Sequence, residues 1–508
     1  MVVKIILLVI FFAIMIAVGL YSRKKATNVN DFVLGGRSVG PWMTAFAFGT
    51  SYFSSVVFVG YAGQFGWKYG LASTWIGLGN AFIGSLLAWV VLGRRTRVMS
   101  QKLESATMPD FFGKRYDSNA LKLAASAICF IFLIPYTASI YNGLSRLFAM
   151  AFDIPYAVCI ITMAVLTGVY VILGGYMATA INDFIQGIIM LIGIVAVIVA
   201  VLNGHGGFYE AVFKLAEIES DVAITMGQKG VFASFFGPDV VNLIGVVILT
   251  SLGTWGLPQM VHKFYAIKDE RSVKTGTIIS TIFAIVISGG CYFLGGFARL
   301  YADADIYKPD GSVMYDAIVP EMLSKLPDVL IGIVIVLVLS ASMSTLSSLV
   351  LTSSSTLTLD FIKGTIVKEM KEKTQMIVMR VLIAFFIILS VVIALNPPTF
   401  IAQLMGISWG ALAGAFLAPF MYGLYFKKVT KASVWASFAV GVGLTVANMF
   451  FKFIASPINA GAIAMLAGLV VVPLVSLITP KMKKETVDEI FTCYDKTVTV
   501  TEKTSLSE

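Results

Sequence analysis

The chain has 508 residues, 58% of them apolar and only 13% charged, with a mean hydropathy of +0.88. Soluble domains carry about twice that share of charge, so the polar surface is too small for a water-soluble globule; a cytosolic, secreted or disordered protein is excluded. The formal charge of +9 would point to nucleic acid in a soluble chain, but here it reads as basic loops beside anionic headgroups.

Apolar runs long enough for a helix to cross a bilayer recur along the whole chain. They predict an all-α integral membrane protein with thirteen spans, at 4–21, 41–65, 72–93, 121–148, 155–174, 180–203, 236–262, 275–299, 327–358, 376–396, 399–425, 433–451 and 457–479. The first run lacks a small-residue cleavage site and is followed by Ser22-Arg23-Lys24-Lys25, which marks a retained span rather than a signal peptide. With the N-terminus outside, the inner loops hold most of the Lys and Arg: four in 22–40, six in 94–120, four in 263–274, five in 359–380, three in 426–432 and five in the tail. That bias predicts a multi-pass plasma-membrane protein with its N-terminus outside and its C-terminus cytoplasmic. Residues 204–235 and 300–326 carry mixed charge, Gly and Pro and fall outside. They read either as short surface helices or gating segments, or as solvated linkers. The tail, 481–508, is polar and rich in Thr and Lys, and reads as mobile.

Several chemistries are missing. Cys129, Cys159, Cys291 and Cys493 are far apart and make neither a disulfide framework nor a metal site. No Gly-rich phosphate loop ends in Gly-Lys-Ser/Thr. Asp495-Lys496-Thr497 matches part of an aspartyl-phosphate motif, but no Gly-Thr follows and chance accounts for it. Two histidines, His205 and His262, are too few for metal or haem ligation, and no nucleophile–base pair is visible. The chain is therefore read as no enzyme, without a cofactor, driven by a gradient or by diffusion.

Polar groups in hydrocarbon are costly, so each cluster of them is a candidate site. In 340–356, Ala341, Ser344, Thr345 and Ser348 stand at i, i+3, i+4 and i+7, one helical stripe, with Ser347 beside it. Neutral hydroxyls next to a small residue suit a desolvated Na+; tight helix packing is the alternative. Gly49-Thr50-Ser51-Tyr52-Phe53-Ser54-Ser55 puts small and polar residues at mid-depth, where a helix can unwind and bare its carbonyls. Asp183 lies near the inner end of its span and calls for a cation partner, a proton or an interfacial cap role. Gly253-Thr254-Trp255-Gly256-Leu257-Pro258-Gln259 breaks a second helix. The two interrupted spans occupy corresponding places in two five-helix halves, the pattern of an inverted-repeat transporter.

With these residues in view, the chain resembles the sodium:solute symporter family over roughly residues 5–480. The likeness rests on Asp31-Phe-Val-Leu-Gly-Gly-Arg-Ser38, on Gly174-Gly-Tyr176 followed by Asp183, on Trp255-Gly-Leu-Pro258, and on Ala341-Ser-Met-Ser344-Thr345-Leu-Ser347-Ser348. It implies a transmembrane domain over 1–480: an extra helix at 4–21, repeats at 41–203 and 236–425, and two added helices within 433–479. It also implies Na+-driven uptake of a small organic solute by alternating access. By this resemblance the main sodium site is formed by the carbonyls of Thr50, Phe53 and Ala341 and the hydroxyls of Ser344 and Thr345. Some members have a second site, which matches Asp183, Ser344, Ser347 and Ser348, so the Na+ stoichiometry is one or two.

The solute is left open. The resemblance assigns Tyr52, Ser54, Ser55, Tyr136, Trp255, Pro258 and Gln259 to its site. Sodium/proline permeases carry Asp where this chain has Tyr52 and an aromatic where it has Thr250, whereas Tyr136 matches a proline-contacting tyrosine. The segment Tyr52-Phe53-Ser54-Ser55 looks like that of monocarboxylate permeases. An amino acid such as proline and a small monocarboxylate are therefore both expected, with a sugar as the alternative. A channel would call for a ring of like groups and a sensor for an added domain; neither pattern is present. No nucleic acid and no obligatory protein partner is expected.

Overall fold

The computed structural model describes residues 2–23, 28–302, 306–367 and 369–495. Among them every element is helical: α1 (Val2–Arg23), α2 (Val29–Leu34), α3 (Pro41–Tyr52), α4 (Ala62–Tyr69), α5 (Thr74–Gly79), α6 (Arg94–Lys102), α7 (Met108–Arg115), α8 (Asn119–Phe152), α9 (Tyr156–Gly204), α10 (Phe208–Glu217), α11 (Val240–Leu252), α12 (Pro258–Ala266), α13 (Glu270–Ala284), α14 (Gly290–Gly295), α15 (Tyr315–Ser324), α16 (Asp328–Thr356), α17 (Glu372–Leu395), α18 (Ile401–Tyr425), α19 (Lys431–Phe451), α20 (Pro457–Ile478) and α21 (Lys484–Phe491). π-Helical turns extend several of them, at Val56–Tyr61 before α4, across 80–93 between α5 and α6, at Ile285–Gly289 before α14, and at Leu357–Ile366 after α16.

Local chemistry sets the ends. Side chains in the loops accept the first free N–H groups of the next helix: Thr107 from Asp110, Asp239 from Asn242 and Asp269 from Ser272, which is N-capping. The Ser272 N–H holds the Asp269 carboxyl below its ordinary range.

Bilayer solvent explains the inside–outside pattern. α18 and α16 are innermost, with 94% and 78% of their most apolar windows buried, against 22% for α1. α16 packs on α9, α8, α1 and α3, and α18 packs on α20, α19 and α8. Serines and threonines of α16 are buried, whereas Ile192 and Val199 of α9, Val381 and Ile388 of α17, and Leu477 and Ile478 of α20 face outward. Close backbone approach seals one crossing: a Cβ on Gly66 of α4 would lie 1.8 Å from the Gly295 carbonyl oxygen of α14.

Among the described residues ten helices are individually long and apolar enough to span, and eleven when the pair 240–266, bent by 40°, is one span. Helical segments do lie at all thirteen expected positions; the lower count comes from one joined stretch and one short segment. The expected span 41–65 stops at Tyr52, and its second half runs into the next as one helical stretch of 47 residues, 56–102. That stretch turns at Gly70, where φ is 59° and ψ −140°. The expected spans 155–174 and 180–203 are the two halves of α9, which part at Gly175, with φ 56° and ψ −155°, a conformation open to glycine alone at little cost; the first half adds nothing to the count because its apolar helix, Tyr156–Val169, is short.

One further expectation is corrected, and one open alternative is decided. The tail carries α21 and a 3₁₀ turn to Tyr494, with Val487, Ile490 and Phe491 buried. Arg95 lies over the rings of Tyr425 and Tyr494, 4.0 and 4.5 Å from their centroids. The tail thus docks rather than moves freely, at least to residue 495; 496–508, with most of Asp495-Lys496-Thr497, lies outside the described residues, as do Lys24 and Lys25. The stretches 204–235 and 300–326 carry α10 and α15, so they are surface helices rather than plain linkers. Ala211 and Leu215 of α10 pack with Phe232 and Phe297 in a small core of their own.

Candidate functional site

The centre of the molecule is the break in α3. The Phe53 N–H still bonds the Gly49 carbonyl at 3.2 Å, but the chain then extends (φ −108°, ψ 103°). Helix resumes when the N–H groups of Val57 and Phe58 both donate to the Ser54 carbonyl, each at 3.0 Å. A helix end leaves its last carbonyls without intrahelical donors, and here that end is buried in the protein.

The stripe of α16 lies against those carbonyls. The Thr345 hydroxyl is 3.0 Å from the Ala341 carbonyl oxygen, 3.2 Å from that of Thr50 and 3.4 Å from that of Ser51. The Ser344 hydroxyl donates to Thr50 Oγ1 at 2.7 Å, and Thr50 in turn donates to the Phe46 carbonyl at 2.8 Å. One hydroxyl has one proton, yet three carbonyl oxygens crowd around Thr345. The Ala341 carbonyl keeps its place in the helical ladder of α16, but those of Thr50 and Ser51 lie at the open end of α3, so acceptors outnumber protons, which is the chemistry that favours a hard cation. Thr50, Ala341, Ser344 and Thr345 are thus brought together. Phe53 sits at the break itself, its carbonyl taken out of the helical ladder, and its ring stacks on Tyr52 at 4.3 Å.

The residues of the expected second site adjoin this cluster. Ser347 donates to the Ser344 carbonyl at 2.8 Å, and Ser348 Oγ lies 2.9 Å from Ser51 Oγ. Asp183 of α9 faces Lys263 of α12, with Nζ 3.5 Å from Oδ2 and the side chains 2% and 0% exposed for Lys263 and Asp183. Lys263 also donates to Ser348 Oγ at 2.9 Å. The sequence reading put Lys263 in a loop, and that is corrected: α12 continues through Ala266 and the ammonium points into the protein. The apolar residues flanking His262-Lys263, Met260-Val261 and Phe264-Tyr265-Ala266, were the available signal.

The residues assigned to the solute divide into two groups. Tyr52 and Tyr136 converge on Trp409 of α18, with centroids 6.1 and 5.9 Å from its ring. Trp409 was missed by the sequence reading; a lone large aromatic within Gly406-Ile407-Ser408-Trp409-Gly410-Ala411 was its only mark. Tyr52 Oη donates to the Thr250 carbonyl at 2.5 Å, tying α3 to α11. Gln259 is buried, and its amide has no hydrogen-bond partner among the described residues. The others are engaged in structure: Ser54 Oγ accepts from the Val56 N–H, Ser55 donates to the Ile140 carbonyl at 3.0 Å, Trp255 donates to the Ile83 carbonyl at 3.0 Å, and Pro258 opens α12.

Comparison with known proteins identifies the family. Residues 32–441 match the model of the sodium:solute symporter family. A sodium/proline symporter of Staphylococcus aureus (strain JH9) is 29% identical over 494 residues, 94% of this chain and 93% of its own length. The osmoregulated proline transporter of Bacillus subtilis (strain 168) is 28% identical over 437 residues, 85% of this chain and 86% of its own. Among solved structures, a Na+-coupled sialic acid symporter in a substrate-bound outward-open state has a TM-score of 0.77 at 19% identity, covering 95% of this chain and 98% of that one. A nucleobase-cation-symport-1 family transporter in a closed conformation has a TM-score of 0.51 at 13% identity, covering 91% and 98%. At those identities the structural likeness is one of fold. A family match over most of the chain, on a helical bundle with two broken helices at its polar centre, leads to one conclusion: the chain belongs to the sodium:solute symporter family and is a multi-pass membrane transporter, not an enzyme.

Proposed function

We propose that the protein takes up a small organic solute together with Na+ by alternating access across the plasma membrane. The observation that carries the reading is the acceptor surplus around Thr345, three carbonyl oxygens within 3.4 Å of one hydroxyl. In this reading the carbonyls of Thr50, Phe53 and Ala341 and the hydroxyls of Ser344 and Thr345 hold the coupling ion. The supporting frame is thirteen passes, with an extra helix (4–21), repeats over 41–203 and 236–425, and two added helices (433–479). The breaks at 53–54 and 253–257 stand in corresponding positions of the two repeats. Basic loops support an outside N-terminus and a cytoplasmic C-terminus.

The solute is proline or a similar amino acid, a reading supported by the relatives at 28% and 29% identity that are named proline transporters. Tyr52, Tyr136 and Trp409 form an aromatic wall that suits a small apolar ring, and the unpartnered Gln259 amide supplies polar contacts. A small monocarboxylate is the second reading. It is favoured by the aromatic cluster itself, which has Tyr52 in the place of an acid and so offers no carboxylate to an amino group. Uptake of labelled proline and of labelled lactate into proteoliposomes, with an inward Na+ gradient and without one, tests both. Na+-stimulated uptake of one and not the other selects the solute. Uptake of either that ignores the gradient removes the coupling reading.

A further inference from the structure

We infer that Lys263 is a built-in cation that fills the acidic site next to the coupling ion, so that this transporter binds a single Na+. The inference rests on the reading of Thr50, Ala341, Ser344 and Thr345 as the ion site, and it concerns the neighbouring group of residues.

The geometry is that of an occupied cation site. A second ion would need the Asp183 carboxylate and the α16 hydroxyls. Those are the groups the ammonium touches, Asp183 at 3.5 Å and Ser348 at 2.9 Å. A third face of the ammonium lies 5.3 Å from the centroid of the Tyr176 ring, a cation–π contact. An ammonium has three donors and no acceptor; here it donates to the Ser348 hydroxyl, pairs with the Asp183 carboxylate and faces the Tyr176 ring. Ser347 is turned away, donating to the Ser344 carbonyl.

Electrostatics makes the occupancy exclusive. Asp183 is fully buried and Lys263 nearly so, and two cations cannot share one carboxylate at low dielectric without strong mutual repulsion. A tethered cation also competes at an effective concentration set by its own chain, which a dissolved ion must exceed. The pair further joins α9, α12 and α16, and through Ser348 and Ser51 it reaches the broken α3. The ammonium therefore neutralises the acid while stiffening the wall of the ion site.

Equilibrium binding of radiolabelled Na+ to the purified full chain tests this without knowledge of the solute. Wild type should bind one ion per chain, and Ser344→Ala with Thr345→Ala should remove it. Lys263→Gln should raise the count to two, and adding Asp183→Asn to that variant should take the second ion away again. Two ions on wild type, or one on a folded Lys263→Gln variant with Asp183 intact, overturns the inference. If the unpaired acid keeps Lys263→Gln from folding, wild type still decides. A single ion that survives the Ser344/Thr345 change but is lost in Asp183→Asn lies on the acid and refutes the proposal. Failure of the underlying reading has its own signature, a wild-type chain that binds no Na+.

Discussion

At the scale of single residues, the Thr345 hydroxyl is the point where α3 and α16 meet. Thr345→Ala removes one oxygen from a buried acceptor cluster, a loss of about 1–3 kcal/mol and so roughly 5- to 150-fold in Na+ affinity. Thr345→Ser keeps the oxygen and should keep most of the affinity; the Na+ dependence of uptake reads both. Equal affinities in the Ala and Ser variants would remove Thr345 from the ion site. Tyr52 calls for a different expectation. Its hydroxyl is spent on the Thr250 carbonyl, so Tyr52→Phe removes that buried hydrogen bond while the ring still stacks on Phe53. The variant should lose about 1–3 kcal/mol of stability, read as a lower thermal midpoint, with the solute KM nearly unchanged. A raised KM at unchanged stability would return the hydroxyl to the solute.

At the scale of elements, helix breaks and helix contacts have separable causes. The break at 53–54 lets two N–H groups share the Ser54 carbonyl and releases the carbonyls that face α16. The α4–α14 crossing depends instead on bare backbone, since a methyl at Gly66 would fall 1.8 Å from a carbonyl oxygen of α14. Gly66→Ala should therefore force the helices apart and cost about 1–3 kcal/mol, seen as earlier melting in size-exclusion thermostability. As a control, Gly443→Ala meets nothing within 4 Å and should melt with wild type or slightly later. An unshifted midpoint for Gly66→Ala would show that the crossing yields easily.

At the scale of the whole molecule, the basic loops set an expected orientation. Cys493 is a poor reporter of it, because the docked tail leaves it 7% exposed. Glu217 and Glu485 are exposed at opposite ends of the proposed topology. An impermeant maleimide should label Glu217→Cys in intact cells and Glu485→Cys only after permeabilisation. The reverse pattern inverts the molecule and, with it, the direction of uptake.

Much of this protein was legible in one dimension because helical period and hydropathy are local properties. The stripe Ala341, Ser344, Thr345 and Ser348 follows from spacing alone, and the weak points at 49–55 and 253–259 follow from small residues, Gly and Pro in apolar runs. The turn at Gly70 and the break at Gly175 fall in the gaps expected between 65 and 72 and between 174 and 180, because glycine punctuation is local too. Lys263 and Trp409 became legible only in three dimensions. A lysine at the end of an apolar run looks like a loop residue until α9 brings Asp183, 80 residues away in sequence, to 3.5 Å from it. Likewise, Trp409 becomes part of a wall only when α18 crosses α3 and α8. Sequence by itself determined which segments are buried in lipid and which faces are polar, since burial is set by composition and period. Tertiary structure decided which polar groups meet, because a buried charge or acceptor is settled by whichever partner the packing brings within bonding distance.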